Sequence, residues 1–158
     1  MNIVLVPGLF SKAEFLSGLR ERLEDEGFAC WGPGFHTNML VRNELDLLRR
    51  RCERLQPVIL VGHSAGGLLS VRLATEGTVD VRGVVGLGTP VFGTHKLAVL
   101  YCEARSVWGA WVPSPAHEIR RFWSLHATLP TVRSVQDWVI AKVDEISCNG
   151  KSHPGVVG

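Results

Sequence analysis

The chain has 158 residues, enough for one domain with one core, and it is 46% hydrophobic and 20% charged, which excludes a disordered composition. Its net charge of +2 points to neither nucleic acid nor an anionic membrane as a partner. No stretch approaches the roughly 20 apolar residues of a membrane span, and the four scattered cysteines (Cys30, Cys52, Cys102, Cys148) show neither a C-x-x-C pair nor metal-ligand spacing.

Ile3–Val6 is an apolar run stopped by Pro7-Gly8, as in a buried first strand. This start has no basic region followed by a long apolar stretch, so a signal peptide is not expected and a cytoplasmic location is the default. Ser11 with Glu14 has capping-box spacing. Leu16, Leu19 and Leu23 then share a helical face, and Gly27 is the stop. Phe28–Trp31 reads as a second strand. Val41, Leu45, Leu48, Cys52 and Leu55 recur at three- and four-residue steps, the clearest helix in the chain. Val58–Val61 is the third strand, Ser64–Glu76 the third helix and Val84–Leu87 the fourth strand. Residues 95–128 are irregular and rich in tryptophan, with Ser114-Pro115 placed to open a short helix. Thr131–Val135 reads as a fifth strand.

Strands alternating with helices predict an α/β fold, a doubly wound and mostly parallel sheet of order 2-1-3-4-5, with a short last strand near the tail. The whole of 1–158 forms one domain in this reading, and 95–128 is a cap-like or pocket-wall insertion. In that order strands 1 and 3 are neighbours whose following loops diverge, so a crevice opens between Pro7-Gly8-Leu9-Phe10 and Gly62-His63-Ser64.

That crevice holds the most informative motif in the chain. Gly62-His63-Ser64-Ala65-Gly66 is G-x-S-x-G between a strand and a helix, the pattern of a nucleophile elbow. Serine needs a base, and the base needs an orienting acid. Of six histidines, His36 reads as a loop-rim residue, and His95, His117 and His126 as packing or solvent residues in the irregular segment. His153, in the polar loop Lys151–Gly155, is the candidate base. Asp137, directly after the fifth strand, is the candidate acid, with Asp144 and Glu145 as competitors. The oxyanion hole would use the backbone N–H of Ala65 and one from the first loop, Leu9 or Phe10. His63, Phe92, Trp108, Trp111 and Trp138 are candidates for the substrate pocket, and no metal site is expected.

Taken together, Val6-Pro7-Gly8-Leu9, Gly62–Gly67, Gly88-Thr89-Pro90 with Gly93, Asp137–Ile140 and Ser152-His153 resemble the α/β-hydrolase superfamily, and within it small lidless bacterial lipases and esterases. The chain departs from that pattern in having Pro7-Gly8 where histidine-glycine is common. It also places His153 only sixteen positions after Asp137. The resemblance implies hydrolysis of a small-molecule or lipid ester through an acyl-enzyme, without metal or organic cofactor. A thioesterase or acyltransferase would use the same residues, and a non-catalytic binding protein could keep the same fold.

Overall fold

A computed structural model describes residues 1–9, 13–34, 43–109 and 113–149. The elements are β1 (Asn2–Val6), a 3₁₀ turn (Ala13–Leu16), α1 (Ser17–Asp25), β2 (Ala29–Trp31), α2 (Glu44–Leu55), β3 (Val58–His63) and α3 (Ala65–Glu76). They continue with β4 (Val81–Leu87), β5 (Leu100–Ser106), β6 (Glu118–Phe122), a second 3₁₀ segment (His126–Thr131) and α4 (Arg133–Asn149). The six strands form one sheet in the order β2-β1-β3-β4-β5-β6, every pair parallel.

Burial on both faces explains the apolar strand runs. Along β1, Ile3 and Leu5 join one core with Leu19, Leu23, Val139 and Val143, so α1 and α4 cover that face. Val4 and Val6 join the other core with Leu48, Cys52, Leu69 and Leu73, which places α2 and α3 there. Residues such as Ile3, Leu23, Ile59, Leu60 and Leu73 are fully buried, each contributing about 1.5–3 kcal/mol of hydrophobic stabilisation. Among the described residues no helix is long and apolar enough to cross a membrane.

The order expected from sequence is present, but its far half is built from different residues. The stretch 95–128 supplies β5 and β6 to the sheet itself. Thr131–Val135 is not a strand: the 3₁₀ segment ends at Thr131 and α4 starts at Arg133. Val135, Trp138, Val139, Val143 and Ile146 are buried at helical spacing, a pattern the first few residues of the run cannot distinguish from a strand. Ser114 and Pro115 open no helix; they lie buried in the connection to β6.

Because all strands are parallel, their carboxyl ends share one edge. At that edge the connections after β1 and β3 diverge, and the crevice lies there.

Candidate active site

Ser64 joins β3 to α3 with φ 51° and ψ −120°, the one positive φ outside glycine among the described residues. Such a conformation costs about 1–3 kcal/mol and persists only where the surroundings impose it. The imposition is close packing. A Cβ on Gly62 would stand 2.5 Å from the Gly67 Cα, and one on Gly66 would stand 2.1 Å from the Val6 carbonyl oxygen. These glycines let the first turn of α3 press onto β1 and β3. The Ser64 N–H is held by the Leu87 carbonyl at 2.9 Å. Ser64 therefore stands half-buried at the positive end of a helix.

Gly8, after β1, closes on the elbow from the other side: a Cβ there would lie 3.2 Å from the Ser64 Cβ. Leu9 follows it and is exposed. Phe10 lies outside the described residues. Ala65 is the first residue of α3, where backbone N–H groups have no partner within the helix.

Among the described residues, the side chain that reaches the serine is His126. Its Nε2 lies 3.1 Å from Ser64 Oγ. After β6, at the edge of the sheet, the chain doubles back over the ends of β4 and β5. Ser106 Oγ donates to the Ser124 carbonyl at 2.5 Å, Leu129 is fully buried, and Gln136 Nε2 donates to the Pro130 carbonyl at 2.9 Å. Gly88 clears the way, since a Cβ there would stand 2.6 Å from His126 Nδ1. Nε2 faces a hydroxyl, so the tautomer that carries its proton on Nδ1 can accept a hydrogen bond from Ser64.

His63 lies beneath. It is buried, with its ring centroid 5.3 Å from that of His126 and 5.4 Å from that of Phe15. Its Nε2 donates to the His126 carbonyl at 3.1 Å. Burial holds its pKa below the usual imidazole value, partly opposed by that hydrogen bond.

A Ser–acid–His chain order leaves four acids between Ser64 and His126: Glu76, Asp80, Glu103 and Glu118. Glu76 is bound to Arg49, Asp80 to Arg82, and Glu118 to Lys142. Only Glu103 remains near the carboxyl edge. It is fully buried, accepts the Thr89 N–H at 2.7 Å and accepts the Tyr101 hydroxyl. The space is prepared for it: a Cβ on Gly86 would overlap its carboxylate. Burial pushes its pKa up to about 7 against the opposing hydrogen bonds and the charge of Arg105. Among the described residues no carboxylate hydrogen-bonds His126. Glu103 instead fixes Thr89, next to the Gly88 on which the imidazole rests.

A cavity of about 280 Å³ opens beside His126, walled by Thr89, Pro90, Phe92, Arg105, Trp108 and Leu125. Phe92 and Trp108, two of the residues expected from sequence, are among those that line this cavity. His63 lies behind the site, and Trp138 is core, packed against Phe122 and donating Nε1–H to Glu118. Trp111 and His153 lie outside the described residues. Asp137 is on α4, not at the end of a strand, and its carboxylate is paired with Arg22. The signal sequence reasoning passed over is a histidine four residues beyond a strand, because Glu-Ile-Arg-Arg-Phe does not look like one.

No family model matches the chain, and no curated protein matches it. Solved structures do. A hydrolase of the alpha/beta superfamily from Xanthomonas campestris pv. campestris is similar at 19% identity, covering 91% of this chain and 98% of that one with a TM-score of 0.61. A methylesterase from Arabidopsis is similar at 14% identity, covering 91% and 99% with a TM-score of 0.65. A thioesterase of prodiginine biosynthesis from Streptomyces coelicolor is similar at 14%, covering 92% and 85%, again at 0.65. The chain has the α/β-hydrolase fold.

Proposed function

We propose that the chain is a serine hydrolase that cleaves carboxylic esters through an acyl-enzyme, with Ser64 as nucleophile and His126 as general base. The observation that carries this reading is the 3.1 Å approach of His126 Nε2 to a serine in the strained elbow conformation.

His126 takes the Ser64 proton as Oγ bonds to the ester carbonyl carbon. The carbonyl π pair moves to oxygen, and the negative charge develops at the N-terminus of α3, toward the Ala65 N–H. Leu9, beside the elbow, is the proposed second donor. When the tetrahedral adduct collapses, the alkoxide leaves with the proton from His126. Water repeats the sequence on the acyl-enzyme, giving the acid and regenerating Ser64. In this reading the imidazolium is oriented by the His63 bond and the Gly88–Thr89 shelf, with Glu103 one contact further away. His126 thus takes the role expected of His153.

Labelling with a fluorophosphonate tests the proposal. Wild type is expected to be labelled at Ser64 and to hydrolyse 4-nitrophenyl butyrate. Ser64→Ala and His126→Gln should each lose both. A folded wild-type protein that resists labelling would refute the reading and favour a binding role for the fold.

A further inference from the structure

We infer that the cavity beside His126 takes the alcohol part of the ester, and that this part is an apolar group carrying a ring. The inference rests on the serine-hydrolase reading and names its substrate class.

The two sides of the site differ. The described residues that line the cavity come from the connection after β4 (Thr89, Pro90, Phe92), the end of β5 and the turn after it (Trp108), and the returning segment (Leu125, His126). None of them follows β1 or belongs to the elbow. In the sheet, β1 and β4 flank β3 on opposite sides. Gly8 closes on Ser64 from the β1 side, whereas His126 belongs to the cavity wall.

The chemistry then sorts the substrate. Negative charge on the carbonyl oxygen is drawn to the Ala65 N–H at the head of α3. The leaving oxygen must come within hydrogen-bond reach of the same Nε2 that removed the serine proton, because that nitrogen returns the proton as the C–O bond breaks. The group beyond the leaving oxygen therefore continues past His126 into the cavity. The acyl chain has no such tie to His126.

The walls select the kind of group. Pro90, Phe92, Trp108 and Leu125 are apolar. Trp123 braces Trp108 edge-on, with ring centroids 5.7 Å apart. Phe92, Trp108, Trp123 and Leu125 are between 64% and 82% exposed, more than any other large hydrophobic side chain among the described residues. An apolar ring in the cavity covers part of that surface, and aromatic walls favour a ring over a chain of equal size. Arg105 shares the lining and has contacts of its own in the fold. A cavity of roughly 150 Å³ holds benzene, so about 280 Å³ accommodates one ring with a short chain or two fused rings.

Isomeric esters separate the alcohol side from the acyl side. Benzyl acetate and methyl phenylacetate are each methyl acetate with one phenyl group added, on the alcohol in the first and on the acyl part in the second. Benzyl and methyl acetate form the same acetyl-enzyme, so the ratio of their kcat/KM values reports how the alcohol part is held during acylation. In the wild type, benzyl acetate is expected to exceed methyl acetate in kcat/KM by about tenfold or more, the scale of taking a phenyl ring out of water. Methyl phenylacetate should gain less than about threefold, since its ring lies outside the cavity. Phe92→Ala and Trp108→Ala should each cut the ratio of benzyl to methyl acetate by about threefold or more. No gain on the alcohol side, an equal or larger gain on the acyl side, or a ratio that both variants leave unchanged overturns the inference and leaves the hydrolase reading standing. If a variant does not fold, the wild-type comparison decides. Absence of fluorophosphonate labelling overturns the hydrolase reading and this inference with it.

Discussion

His63 donates its Nε2–H to the main-chain carbonyl of His126 at 3.1 Å. The residue immediately before the proposed nucleophile thus holds the residue that would activate it. The two rings also pack against each other at a tilt of 38°, with centroids 5.3 Å apart, so the elbow and the returning 3₁₀ segment are fixed to each other and not merely adjacent.

Replacing His63 by phenylalanine keeps the ring and removes the bond. The expected result is a fall in kcat of about tenfold with little change in KM, as for a residue that orients a base without touching substrate. A change confined to KM would show that His63 serves binding instead.

His126→Gln is expected to lower kcat for 4-nitrophenyl butyrate by about 10³-fold or more, the scale for removing a general base from a serine nucleophile. His153→Gln and Asp137→Asn should leave the rate within about threefold. Steady-state kinetics on the three variants would reverse the assignment if His153→Gln were the inactive one.

Glu103 makes stability depend on pH in a defined direction. Its folded-state pKa, about 7, lies above the ordinary carboxyl value. The folded state therefore binds this proton more tightly, and stability from this group is greatest at acid pH. It declines as pH rises from about 4.5 to about 7, by up to roughly 3 kcal/mol. Burial shifts His63 the other way, so its contribution is full above its ordinary value of 6.5 and is lost as pH falls. Thermal melts of Glu103→Gln from pH 4.5 to 8 should thus show a smaller loss, or a larger gain, of Tm with rising pH than wild type. Parallel curves would show that Glu103 does not titrate in this range.

The elbow glycines separate packing from backbone strain. Gly66→Ala places a methyl 2.1 Å from the Val6 carbonyl oxygen. It should lower stability by about 3 kcal/mol and reduce activity as β1 and its loop shift. Gly77→Ala meets nothing within 4 Å but has φ +65°, so about 1 kcal/mol and no loss of activity are expected. Chemical denaturation and the ester assay together check both.

Legibility followed burial. β1, β3 and β4 are apolar on both faces and announce themselves in the sequence, as do the amphipathic helices α1 and α2. β5 carries buried Tyr101, Glu103 and Arg105 on one face, and β6 is an edge strand with Arg120 and Arg121. Neither satisfies a hydrophobic pattern, because polar side chains on them answer to partners on other segments, Thr89 for Glu103 and Lys142 for Glu118. Thr131–Val135 fails in the opposite sense, being apolar enough for a strand yet packed as the start of a helix.

The sequence by itself determined the serine, its elbow and the parallel sheet that exposes it. Each depends on local chemistry: glycines at fixed offsets, apolar runs of strand length and a helix that follows at once. Tertiary structure alone decided which histidine meets that serine. His126 is 62 residues away, beyond a polar edge strand, and reaches Ser64 only because Leu129 is buried, Ser106 holds Ser124 and Gly88 leaves room for the ring. Those contacts exist only after the sheet has assembled, so no spacing in the chain encodes them.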